Sequence, residues 1–194
     1  MKPDATPGGA PPLVWHLSLR LVHWALAGSV LTCLWLHEGG PWHLWLGYLA
    51  LLLALWRTLR GFGRLRRLGD ARAPVAERFA HFVRGPQATL GYARALLQAR
   101  EPRYLGHNPL GGWMIAALLA CALLAGISGA LYNTDAFWGD GTLYRLHQIG
   151  GWAFALLVPL HLAGVVLTSW RQRENLVLAM VTGRKRAAAP GDVD

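Results

Sequence analysis

The sequence predicts an all-α integral membrane protein, a four-transmembrane-helix bundle with a cytoplasmic amphipathic helix lying against it. Three observations predict this. The 194 residues are 54% hydrophobic, with a mean hydropathy of +0.28. Only 15% are charged, where an ordinary soluble domain carries about a quarter. The apolar residues also gather into four stretches, at 17–36, 42–56, 113–132 and 146–170. Crossing the hydrocarbon core takes roughly 20 residues; three stretches reach or approach that, and the second does so when extended to Leu59.

Taken in order, residues 1–12 are rich in Pro and Gly and are expected to be disordered. The first apolar stretch contains Arg20 and His23, is too long for a signal peptide and has no small-residue cleavage site after it, so it reads as a retained helix. The second ends where Gly61-Phe62-Gly63 breaks it. The connection from Arg57 to Leu110 holds too few residues to bury a core of its own. Within it, residues 86–98 read as an amphipathic helix, with Leu90, Leu96 and Leu97 broadly to one side and Arg94 and Arg100 to another, suited to the membrane interface. After the third and fourth spans, residues 174–180 predict a second short surface helix, ending at Gly183 before Arg184-Lys185-Arg186. The four-helix domain is thus expected over 13–186, with 187–194 as a flexible tail.

The formal net charge is +9 and the pI about 10.6, a balance that in a soluble protein would suggest nucleic acid. Its distribution has a simpler cause. Eighteen of the 19 Lys and Arg fall at the N-terminus, in the second connection or after the last span, leaving Arg145 alone on the other side. Positive charge stays inside, so both termini and the long connection are expected in the cytoplasm, beneath a bacterial inner membrane. Anionic headgroups account for the basic patches without a nucleic-acid partner. Cys33 and Cys121 lie inside predicted spans, and no Cys-x-x-Cys-His occurs, which excludes covalent c-type haem attachment. Both are expected to pack as small hydrophobes.

A histidine inside a membrane helix must be satisfied, so those at span positions are the first functional candidates. His147 and His161 are fourteen residues apart on the fourth span, about four turns, so they share a face and lie roughly 20 Å apart along the axis. The alternating direction of the spans puts His23 near the inner surface with His161, and His43 near the outer surface with His147. Two same-depth pairs are what two bis-histidine haems b require. Small residues beside the ligands would give a flat macrocycle room: Gly47 after His43, Gly150 and Gly151 after His147, Gly164 after His161, and Ala27 after His23. Zinc wants three or four close ligands, and each pair offers two. Hydrogen bonding between helices would serve for any one histidine, but four at two matched depths ask for more.

Several motifs carry a resemblance. Arg20-Leu-Val-His23-Trp24, His43-Leu-Trp-Leu-Gly47-Tyr48, His147 with His161, the segment Arg103-Tyr104-Leu105-Gly106-His107-Asn108-Pro109-Leu110-Gly111-Gly112 and Arg173-Glu174-Asn175-Leu176 together resemble the bacterial di-haem cytochrome b561 family. That family includes the cytochrome b subunits of nickel–iron hydrogenases. The resemblance covers residues from about 14 to 186. It implies four core helices, two non-covalent haems b, and electron exchange with quinone.

Other residues leave alternatives open. His16, seven residues before His23, stands where relatives often carry an acidic residue; it would replace His23 if the helix started earlier, but its place at the membrane surface favours an interfacial or propionate contact. His37 rivals His43 for the outer site; Gly47 and the resemblance favour His43. His81 and His107 are expected to be solvated or hydrogen-bonded, with His107 at most facing a quinone pocket near the inner haem. Haem propionates usually meet Arg or Lys: Arg145 is the candidate at the outer haem, and Arg20, Arg57 and Arg171 at the inner one. The ten Trp read largely as an interface belt, with Trp24 and Trp152 next to ligands. The expected function is an electron-transfer subunit linking a quinone pool to a periplasmic partner such as a c-type cytochrome. Two rivals remain: a self-contained superoxide:quinone oxidoreductase, which the acidic Glu38, Asp135 and Asp140 near Arg145 disfavour, and a haem-free membrane anchor for a partner enzyme.

Overall fold

The computed structural model describes residues 11–63 and 78–193. Most of the segment expected to be disordered, and Arg64, Arg66, Arg67 and Arg72 of the long connection, lie outside the described residues. The elements are α1 (Leu17–Trp35), α2 (Pro41–Gly61), α3 (Phe79–Phe82), α4 (Pro86–Leu97), α5 (Pro109–Tyr132), α6 (Gly141–Gln172) and α7 (Leu176–Thr182). Among the described residues the only β pairing is two isolated bridges. Helices α1, α5 and α6 are each long and apolar enough to cross a membrane. Helix α2 has 21 residues and carries Arg57 and Arg60 in its last turns.

Local chemistry sets where the helices begin. Gly39 and Gly40 turn the chain at φ +95° and +100°, and Pro41 opens α2, where its missing N–H costs nothing. The Asn108 side chain accepts from Gly111 N at 2.7 Å, starting α5 ahead of the apolar stretch. Asp140 accepts from Thr142 N and Leu143 N at 2.8 and 2.9 Å, so α6 begins five residues before Leu146. Asn175 accepts from Leu178 N, and Gly183 closes α7 in the left-handed region at φ +80°. These are the side-chain caps that orphan helix N–H groups require.

Helix α1 packs on α2, α2 on α5, and α5 on α6. The shared core is built from Val30, Ala50, Ala54, Leu119, Ala122 and Phe154. Small residues bring the helices together: a Cβ at Gly150 would lie 2.8 Å from that of Ala125, and one at Gly126 2.9 Å from that of Leu51. Close backbone approach is how helices associate where lipid is as apolar as the side chains. The outward faces remain apolar and exposed, as at Leu156, Val166 and Trp170.

One end of the bundle is capped by α3, α4, α7 and the described residues before α1 and after α7. Val14 N and Trp15 N donate to Gly183 O at 2.8 and 3.1 Å, and Lys185 N to Pro12 O at 3.2 Å. Arg103 pairs with Glu174 at 3.0 Å and with Asp192. Val193 N donates to Arg103 O at 2.8 Å, and Leu105 N to Val193 O at 2.9 Å. The loops 36–40 and 133–140 form the opposite, open end.

Candidate functional site

His43, in the first turn of α2, and His147, in the second turn of α6, meet near the open end. Their ring centres are 5.8 Å apart, with planes at 68°. Each ring is held from behind. His43 Nδ1 lies 2.9 Å from Leu36 O and 3.2 Å from Cys33 O, carbonyls at the end of α1, of which Leu36 O also accepts from Gly39 N at 2.9 Å. His147 Nδ1 lies 2.8 Å from Ala125 O. A carbonyl only accepts, so Nδ1 carries the proton in both rings and Nε2 the lone pair. This is the arrangement that orients a metal-binding imidazole and raises its basicity. Gly129 makes space for His147, since a Cβ there would lie 2.8 Å from Nδ1. His37 is exposed, beside Trp35 O at 3.4 Å, and takes no part in this pair.

Near the capped end, His23 on α1 and His161 on α6 come within electrostatic reach of each other. His23 stands edge-on to Trp24, with ring centres 5.0 Å apart, and its Nδ1 is buried with no hydrogen-bond partner. Two residues before His161, Pro159 sits inside α6, where it cannot donate to the carbonyl of Ala155. His16 is the residue before α1 and contacts Ser18 Oγ at 3.1 Å. His81 is exposed on α3.

His107 differs from expectation. The residue is half-buried, and its Nδ1 is buried without a hydrogen-bond partner. The ring is wedged between Trp15 at 4.4 Å and Phe82 at 4.8 Å. Burial, then the nearby charges of Arg57 and Lys185, push its imidazole well below the ordinary histidine range, so it is neutral at neutral pH. Burial also pushes the Lys185 ammonium down to about 8, against the pull of Glu174.

The arginines divide. Arg145 is exposed and donates from Nε to Gly141 O at 3.1 Å. Arg171 pairs with Glu101 at 2.8 Å and donates to Leu96 O. Arg20 donates to Val181 O, while its Nε is buried without a partner. Arg57 is buried, its guanidinium over Phe79 and Phe82 at 5.2 and 5.7 Å from the ring centres. Trp24 Nε1 reaches Met180 O at 3.4 Å, and Trp152 is exposed. Asp140, one of the acidic residues near Arg145, is the α6 cap. Of the glycines expected to clear a macrocycle, Gly47, Gly151 and Gly164 face open space, whereas Gly150 is taken up by Ala125.

Among the described residues no three His, Cys, Asp or Glu side chains converge. The four histidines of the long helices come in twos. Two metal–nitrogen bonds of about 2 Å, with the ring radii added, ask for imidazole centres about 6 Å apart. The His43–His147 spacing and tautomers fit that demand, and Gly47 and Gly151, four residues after His43 and His147, face open space.

Comparison with known proteins agrees with this chemistry. A family model described as prokaryotic cytochrome b561 matches residues 14–183. A "Probable Ni/Fe-hydrogenase B-type cytochrome subunit" from Rhodobacter capsulatus is 25% identical over 107 residues, covering 46% of this chain. The match spans only 41% of that relative's length. No solved structure matches.

Proposed function

Because the chain belongs to the prokaryotic cytochrome b561 family, we propose that it is a di-haem b protein of the bacterial inner membrane that passes electrons between a quinone pool and a periplasmic partner such as a c-type cytochrome. The observation that carries this reading is the His43–His147 pair, with both Nδ1 atoms bound to carbonyls and both Nε2 lone pairs left for an iron. His43 and His147 hold one haem, and His23 and His161 the second. Helix α2 is the fourth crossing, since its His43 faces α6 near the open end while Arg57 and Arg60 lie at the capped end. The capped end, with most of the basic residues, faces the cytoplasm. Helix α4 lies at that interface, with Leu90 and Leu97 exposed and Tyr92 buried.

Bound haem iron supplies one-electron chemistry, with a potential set by its axial ligands, nearby charge and burial. The chain's own residues do the rest. Leu36, Cys33 and Ala125 hold the Nδ1 protons that orient His43 and His147. The α5–α6 contact at Gly150 fixes His147 against α2. Helix α6 spaces the two sites by fourteen residues, roughly 20 Å along its axis. Exposed Glu38 and Asp135 at the open end suit a basic redox partner. The hydrogenase-subunit name of the relative supports a partner of the redox class.

The test is a reduced-minus-oxidised spectrum with haem quantification on detergent-purified protein. Wild type is expected to hold about two haems b and His147→Ala about one, while His37→Ala keeps both. Wild type without haem, after expression with ample haem supply, overturns the reading.

A further inference from the structure

We propose that His107, flanked by Arg57 and Lys185, forms a carboxylate-binding pocket that holds a propionate of the haem between His23 and His161; this rests on the di-haem reading. The side chains stand in a row. The Arg57 guanidinium lies 5.7 Å from the centre of Phe82, Phe82 4.8 Å from His107, and His107 4.4 Å from Trp15. Lys185 Nζ completes it, 5.9 Å from the centre of Trp15. Two buried cations therefore bracket an imidazole whose Nδ1 is buried without a hydrogen-bond partner. Few buried polar atoms in proteins go unpaired; in the tautomer that puts the proton on Nδ1, the partner that fits between two cations is an anion.

The position suits the haem edge. His107 is within electrostatic reach of both His161 and His23. Ionised carboxylates avoid the hydrocarbon centre, so the propionates of a macrocycle held by that pair belong toward the capped end, where the row stands. Lys185 Nζ donates to Tyr104 O and Gly106 O at 3.2 and 3.3 Å. That clamps the backbone just before His107 and leaves the third ammonium donor for a ligand. Helix α7 and the chain ends thus act on the site through Lys185 and Trp15. The open-end pair has no comparable row, since Arg145 is exposed and turned to its own helix.

The experiment uses the full chain prepared without haem and reconstituted with haem b or with its dimethyl ester, whose propionates are blocked. The site is identified as the one His161→Ala removes, and the open-end haem in the same sample reports folding. Wild type is expected to bind the ester at this site at least tenfold more weakly than haem b. His107→Phe is expected to weaken haem b about tenfold and to erase most of that preference, whereas His107→Gln, which keeps an N–H donor, restores it. Loss of the donor leaves the propionate charge less compensated and favours ferric iron. The midpoint therefore falls, by ~59 mV for each tenfold change in a one-electron equilibrium. If His107→Phe also loses the open-end haem, Lys185→Met is read by the same preference. Undiminished preference for haem b in His107→Phe, or in Lys185→Met in that case, overturns the inference, as does a pocket that instead answers to a short-chain quinone. Wild type that takes up no haem at the His161-dependent site is a different result and sinks the di-haem reading itself.

Discussion

At the scale of the residue, the site depends as much on what faces the histidines as on the histidines themselves. Gly129 is the clearest case. A methyl there would lie 2.8 Å from His147 Nδ1 and 3.0 Å from Cε1, too close for the ring to keep its bond to Ala125 O. Gly129→Ala is expected to lose the open-end haem and leave about one per chain. Gly47 makes the opposite prediction. Nothing in the protein lies within 4 Å of its missing Cβ, so Gly47→Leu should not destabilise the haem-free protein and, through helix propensity, should stabilise it by up to about 1 kcal/mol. On the proposed di-haem reading it should still lower haem content, because the macrocycle would occupy that space; two full haems in that variant would refute the clearance argument. The pairing by depth was legible in the sequence because a helix converts residue number into height. Gly129, Ala125 and Leu36 were not, because they act across helices, and sequence spacing does not report a neighbour's face. The sequence's hint was the four-residue spacing of the small residues Ala125 and Gly129 in the third span. His107 was misjudged for the same reason: its loop position suggested water, whereas Trp15, Phe82 and Lys185 arrive from distant parts of the chain.

At the scale of the element, caps and ion pairs decide what hydropathy leaves undefined. The apolar stretches gave four helices but placed the starts of α5 and α6 four and five residues late, because Asn108 and Asp140 begin helices in polar sequence. Asp140→Ala is expected to destabilise α6 by about 1 kcal/mol, with fraying just ahead of His147 visible in hydrogen exchange. The Arg103–Glu174 pair makes a pH prediction. Burial works to raise the Glu174 carboxyl, but hydrogen bonds from Arg103 and from the Arg186 N–H outweigh it, so the group is held below its usual value. A carboxyl depressed in the folded state stabilises above the unfolded value of about 4.3 and loses that contribution as pH falls through the lower folded value. Protection of residues 174–193 from proteolysis should therefore be flat near neutrality and fall only below about pH 4. Glu174→Gln leaves a buried guanidinium half-paired, a loss on the order of 3 kcal/mol. It should open the cap at all pH values and flatten the acid-induced drop.

At the scale of the whole molecule, the question is the number of crossings, and the chain ends supply the argument. Residues 12–15 are hydrogen-bonded to 183–185, so the segments before α1 and after α7 lie at one end of the bundle. A chain that leaves one side of a bilayer and returns to it crosses an even number of times. Since α1, α5 and α6 are each long and apolar enough to cross, an even count would make α2 the fourth crossing, as proposed above, despite its two arginines. Those arginines lie in its last turns, where long side chains reach the interface. The open-end loops 36–40 and 133–140 contain no Lys or Arg, as loops translocated across an inner membrane should. With Cys33 and Cys121 replaced by Ala, single cysteines at Glu38 and at Asp135 are expected to react with a membrane-impermeant maleimide added to intact cells. One at Gln98, on the connection between α2 and α5, should react only after the cells are opened. If α2 lay on the surface instead, Glu38 and Gln98 would label together from the same side, and His43 could not reach the depth of His147. The labelling pattern thus decides the topology and, with it, whether the histidine pairs lie where two haems could be held across the bilayer.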